Sequence, residues 1–124
     1  MKQIFYIMLF GAFGAVSRYG VGVATRARLG KAFPYDTLIA NVLGCFLIGA
    51  IMYGILSRHI DETVKTALVV GFLGSFTTFS SFGYATFELF QKGDWPAAVL
   101  NIGANLLVGL LAVWLGMTVA RLVS

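Results

Sequence analysis

Long uncharged, mostly apolar runs alternate along this chain with short polar stretches. Four runs can be marked between charges: residues 3–25, interrupted only by Arg18; 37–57, with no charge; 66–87, equally bare; and 95–120, with Pro96 near its start. A membrane-spanning helix needs about 20 mostly apolar residues, so each run predicts one span. The proline falls in the first turn, where its missing N–H costs a helix little. The connections, Arg26 to Asp36, Arg58 to Lys65 and Glu88 to Asp94, are short. The pattern therefore predicts an all-α membrane protein, a single domain over 1–124 with four transmembrane helices. Lys2 ahead of an apolar run is also how a secretory signal begins, but Arg18 and more apolar chain stand where a cleavage site and a soluble domain would follow.

Composition agrees with the pattern: 59% of residues are hydrophobic and 11% charged, against about 25% charged in soluble domains. Nine Lys+Arg against five Asp+Glu give +4, but the basic residues are scattered, whereas a nucleic-acid surface needs them clustered. One cysteine, Cys45, and one histidine, His59, exclude an intrachain disulfide and a Cys/His zinc site. Four spans put both termini on one side, so Lys2, Arg58, Lys65 and Arg121 share a side while Arg26, Arg28, Lys31 and Lys92 share the other. Lys/Arg excess in short loops orients membrane proteins, and here the count is even. Two readings follow. Either the chain inserts one way by a bias that loop boundaries conceal, or it inserts both ways and an antiparallel homodimer becomes available, supplying the inverted symmetry that larger transporters obtain from internal repeats.

The third run contains the least helical sequence. Residues 71–83, GFLGSFTTFSSFG, carry three glycines, five hydroxyl residues (Ser75, Thr77, Thr78, Ser80, Ser81) and four phenylalanines. Gly is a poor helix former, and Ser and Thr hydroxyls compete for the backbone. The cluster lies in the middle of the run, so a break there would free backbone groups at the bilayer centre, where each costs several kcal/mol unless satisfied. Such a break points to a binding site; the alternative is a Ser/Thr/Gly packing face on an unbroken helix. Phe79 and Phe82 lie three residues apart and share a face on a helix that resumes after the break. They are either packing or lipid-facing rings, or rings whose positive edges touch an anion without trapping it.

Polar groups are sparse in the other runs. Thr37 and Asn41 are one turn apart on the second, followed by Gly44, Gly49 and Gly54, which permit close helix approach. On the fourth, Asn101, Asn105, Gly109, Ala112 and Gly116 form one polar-to-small stripe, and such Asn side chains either join helices or line a donor-rich pathway. Arg18 is the one full charge well inside a run, either functional or reaching back to the surface. Glu88 reads as a solvated helix-end residue.

These residues resemble the small fluoride channels of the CrcB/Fluc family. The segment from Gly11 through Gly14, Ala15 and Arg18 to Tyr19 is similar to that family's first-helix motif; Thr37 through Asn41 and Gly44 to Phe46 to its second; and Gly71 through Gly74, Thr77, Thr78, Phe79, Ser80 and Ser81 to Phe82 to its third. The Thr-Thr-Phe-Ser-x-Phe run is the specific element; Asp36, Ala40 and Ser81 depart from the commonest residues. The resemblance implies a dual-topology antiparallel homodimer with two fluoride pores, the third helix broken at mid-membrane. Phe79 and Phe82 would line the pore, Asn41 would donate to fluoride, and Ser81 would lie on the polar track, with Thr37 and Asn105 joining the pathway. The backbone carbonyls of Gly74 and Thr77 would hold a structural sodium ion (Na+), which oxygen-only ligation suits, and the missing Cβ of Gly74 would permit the turn. Arg18 would be structural and Glu88 near a vestibule.

Three other classes compete. A proton-coupled exporter of the small multidrug type needs a buried carboxylate, and the four runs contain none. A non-transporting membrane scaffold would have no use for the hydroxyl cluster. An enzyme would need a nucleophile–base pair or acidic dyad, which these residues do not assemble.

Overall fold

The computed structural model describes residues 1–53 and 60–123, and every regular element among them is helical. Helix α1 is Lys2–Leu29, α2 Tyr35–Tyr53, α3 spans 62–76, α4 is Phe79–Gln91 and α5 Trp95–Val123. Gly54, Arg58, His59 and the expected end of the second span at residue 57 lie outside the described residues. Four stretches, Lys2–Leu29, Tyr35–Tyr53, Glu62–Gln91 and Trp95–Val123, are long and apolar enough to cross a membrane. Helix ends lie beyond the edges of the apolar runs: α1 continues through Arg26 and Arg28, and α4 passes Glu88 to Gln91. Charge marks where a chain leaves lipid, whereas a helix ends where its last groups find other partners.

Those partners are visible at the turns after α1 and α4. Gly30 adopts φ 78° and donates its N–H to Arg26 O at 3.0 Å, closing α1. Gly93, at φ 80°, reverses the chain after α4, and the Asp94 carboxylate then caps α5 by accepting from Ala97 N–H at 3.3 Å. The Arg26–Asp36 ion pair, 2.8 Å, spans the α1–α2 connection.

Helices α1 and α3 run parallel, with Gln3 bonded to Thr63 O at one end and Arg18 to Ser75 O further along. Helices α2 and α5 also run parallel: Asn41 meets Asn105, and at the far end the Arg121 guanidinium lies 4.2 Å from the centre of the Tyr53 ring. The α2 contact with the second half of α5 is the most extensive in the fold. It is made by backbone. A Cβ on Gly49 would lie 2.2 Å from Val113 O, and one on Gly116 2.1 Å from Phe46 O. Between α1 and α3, Gly14 faces Phe72 O in the same way. Ala40, Ala67, Ala98, Ala112 and Ala120 fill the buried seams, while large apolar residues such as Leu107 and Leu110 point outward. Association inside lipid has no hydrophobic drive between helices, so close backbone packing takes its place.

Two π-helical turns, Ala67–Leu73 in α3 and Ala104–Val108 in α5, depart from the regular α-helix the sequence pattern predicts. Each wide turn resets which face the following side chains occupy. Asn105 lies within the second.

Replacing Gly116 by Val should unfold or disperse the protein in detergent, since a β-branched side chain would press on Phe46 O, and overpacking costs about 1–3 kcal/mol or more. Gly103→Ala, with nothing within 4 Å of the new Cβ, should leave the melting temperature unchanged. Thermal unfolding followed by gel filtration separates the two.

Candidate functional site

The site is built on an interruption between α3 and α4. Helix α3 ends at Phe76; Thr77 (φ −88°, ψ 159°) and Thr78 (φ −152°, ψ 120°) are extended; α4 begins at Phe79. A continuous helix would pair the carbonyls of residues 74–77 with the N–H groups four residues on. Here Thr78 N–H donates instead to Asn41 Oδ1 at 2.8 Å, and Ser81 N–H to Thr78 Oγ1 at 3.1 Å, which makes Thr78 the N-cap of α4. The carbonyls of Gly74 and Thr77 thereby lose their helical donors. Ser75 O is met by Arg18 Nε at 3.2 Å, so the one charge inside the first span caps the end of α3.

The geometry corrects one expectation. Gly74 does not make the turn: its backbone is ordinary right-handed helix (φ −60°, ψ −31°), and a Cβ there would meet Val69 O at 3.7 Å, ordinary contact. The two threonines make it, in conformations open to any L-residue, and side chains from α1 and α2 hold it.

Asn41 grips the extended segment with both ends of its amide. Its oxygen accepts from Thr78 N–H, and its nitrogen donates to Thr78 O at 3.1 Å and to Asn105 Oδ1 at 3.1 Å. Asn105 donates in turn to Asn101 O at 2.8 Å and Asn101 Oδ1 at 3.1 Å. Asn101, fully buried, donates to Thr86 Oγ1 at 2.9 Å, and the Thr86 hydroxyl donates to Phe82 O at 2.8 Å. The asparagines of the fourth-span stripe therefore join helices α2, α4 and α5.

Most of the residues singled out by sequence meet in two neighbouring hollows. A groove of about 440 Å³ is lined by Asn41, Gly74, Thr77, Phe79, Phe82 and Asn105 among others. The Phe79 and Phe82 rings lie 5.4 Å apart at 52° on one face of α4, and Phe79 is 81% exposed. A smaller cavity of about 110 Å³ is bounded by Arg18, Arg26, Asp36 and Thr37. Thr78 lines both. Ser81 and Glu88 line neither; Ser81 sits in the first turn of α4 and Glu88 is exposed. Sequence reasoning gave Thr78 and Thr86 no individual role. A Thr just before a resumed helix is an N-cap signal, and Thr86 shares the stripe of Phe79 and Phe82 at i, i+3, i+7.

Four apolar helical stretches around a polar, uncharged seam define a multi-pass membrane protein. The chain belongs to the CrcB-like (Camphor Resistance, CrcB) family, whose model matches residues 5–117. A protein of Dehalococcoides mccartyi named fluoride-specific ion channel FluC is 48% identical over 117 residues, covering 94% of this chain and 90% of the relative. Proteins of the same name from Acidobacterium capsulatum and Geobacter metallireducens are 46% and 43% identical, each covering 98% of this chain and 97% and 98% of their own lengths. With these bacterial relatives, the chain is a multi-pass protein of the bacterial cell membrane.

Asn41→Leu keeps the side-chain size and leaves Thr78 N–H and C=O without partners. Each such loss costs about 1–3 kcal/mol, so the variant should melt well below the parent in detergent. Equal melting temperatures would show that the clamp contributes nothing.

Proposed function

We propose that the chain is a passive fluoride channel that lets cytoplasmic fluoride out, working as a dual-topology antiparallel homodimer with two pores. The observation that carries the reading is the shared groove: two phenyl rings on one face of α4 stand beside the amides of Asn41 and Asn105, with no Asp, Glu, Lys, Arg or His in the lining. Ring edges and amide N–H groups offer an anion partial positive charge, which favours entry without a trap deep enough to prevent exit. Fluoride is a strong acceptor. Both Asn41 N–H groups are engaged, to Thr78 O and Asn105 Oδ1, so an ion reaching Asn41 takes the place of one of those oxygens. Thr37, with Arg18, borders the cavity that adjoins the groove, and Ser81 lies in the first turn of the helix that carries the rings. The break serves the reading best at the bilayer midplane, and residues 77–78 fall halfway along the apolar stretch Glu62–Gln91.

A structural sodium ion belongs to the same proposal. The carbonyls of Gly74 and Thr77 are the two whose helical donors bond elsewhere, and uncharged oxygens suit a hard monovalent cation. Bound there, the ion would neutralise carbonyl dipoles that lipid leaves bare. Even basic counts on the two sides and the exposed flank formed by Gly74 and Phe79 support a second, inverted copy.

Passive exit suffices for protection. Fluoride enters an acidified surrounding's cells as neutral HF and ionises in the near-neutral cytoplasm. A potential of about 100 mV, negative inside, contributes roughly 2.3 kcal/mol per charge to anion exit, enough for a roughly 50-fold gradient without a coupling ion. A proton-coupled exporter would need a buried carboxylate; the buried polar side chains among the described residues are Thr25, Thr37, Thr86 and Asn101.

Liposomes carrying the purified protein should release fluoride to an electrode and retain chloride, and Phe79→Ile or Phe82→Ile should cut fluoride release at least tenfold while an assembled dimer persists. No release by the parent overturns the channel; normal release by both variants reduces the rings to packing.

Two or three Lys added to one set of loops should fix the topology. A form fixed in one orientation should fail to protect cells from fluoride, and co-expression with the opposite form should restore protection. Full protection by one fixed form alone would exclude the antiparallel pair.

A further inference from the structure

The hydrogen-bond chain through the asparagines has one direction. A backbone N–H can only donate, so the bond from Thr78 N–H fixes Oδ1 of Asn41 towards Thr78. Its nitrogen must then face Asn105 Oδ1, Asn105 must turn its nitrogen to Asn101, and Asn101 must turn its own to Thr86. With one oxygen lone pair taken, the Thr86 hydroxyl gives its proton to Phe82 O. No amide in the sequence can be reversed without opposing two donors or two acceptors. Bonds aligned head to tail also polarise one another.

This chain begins at the interruption and ends on the turn that carries Phe82. Helix α4 is 13 residues long, and its main packing partner is the opening segment of α5, Trp95–Gly103, which contains Asn101. Thr86 is 5% exposed and Asn101 0%. The bond between them is a polar contact buried between α4 and the opening segment of α5. Phe79, Phe82 and Thr86 occupy one stripe of α4, so the rotation that would break the Thr86 bond is the one that would swing both rings around the groove.

We propose that Asn101 and Thr86 are positioning residues that fix the rotation of α4 and thereby the aim of Phe82 into the groove. Neither lines the groove; Thr86 acts on the ion through the rings, and Asn101 through the rings and through Asn105, whose amide it holds. The consequence for transport rests on the channel reading above; the consequence for the ring does not.

Three variants test it, each read by fluoride and chloride release from liposomes and by NMR of phenylalanine-labelled protein, the Phe82 signal being assigned with Phe82→Ile. Thr86→Ser keeps the hydroxyl and should match the parent within about twofold. Thr86→Val removes it and should lower the fluoride-to-chloride release ratio about tenfold while splitting or broadening the Phe82 signal. The double variant Asn101→Leu with Thr86→Val removes donor and acceptor together, which avoids a buried unpaired amide and serves if Thr86→Val does not fold; it should show the same two losses. An unchanged ratio and an unchanged Phe82 signal in a folded valine variant overturn the assignment, as does a serine variant as impaired as valine. If the parent itself releases no fluoride, the channel reading falls, and the Phe82 signal alone decides the positioning.

Discussion

A backbone that leaves the helix among apolar residues must find partners for the groups it exposes, and the rest of this structure is arranged around that need. The extended pair Thr77–Thr78 releases carbonyls at the end of α3 and N–H groups at the start of α4. The answers come from three directions: Arg18 from α1, the Asn41 amide from α2, and the Thr78 hydroxyl from the segment itself. Asn41 serves the extended residue as a neighbouring strand would, taking its N–H and returning a donor to its C=O. Unpartnered, such groups would each cost several kcal/mol in lipid.

The glycines serve the same end from further away. Side-chain partners reach the interruption only because the helices that carry them stand close, and they stand close because backbone meets backbone at Gly14, Gly49 and Gly116. The usual layout of a soluble core is largely inverted: small residues make up most of the inside, joined by Leu73, Phe76, Leu89 and Ile51, and many large apolar side chains lie on the surface. A few polar side chains then suffice to specify register, since each bond among them is made where water does not compete.

The four spans were legible because a run of apolar residues long enough to cross a bilayer has few other uses. Phe79 and Phe82 on one face, and the small-residue stripe from Asn101 to Gly116, could likewise be read from helical spacing. The conformation at 77–78 is legible only as weak helix sequence, which points to Gly74 for the turn because glycine is the residue usually needed; two extended threonines need no such freedom. The π-helical turns were not legible at all. Their sequences, ALVVGFL and ANLLV, would suit a regular helix. The second turn alters the phase of α5 between Asn101 and Gly109, so counting residues along the stripe could not say which asparagine would meet which helix.

Thr78 borders both the small cavity beside Arg18 and the larger groove beside the rings. Thr78 is the residue that the two linings share. In electrical terms, a conduit with two wide chambers and one thin diaphragm concentrates nearly all of its resistance in the diaphragm. Were the two hollows joined at Thr78 into one path, their own linings would add little to the total, and the side chain of Thr78 would weigh more on throughput than any other.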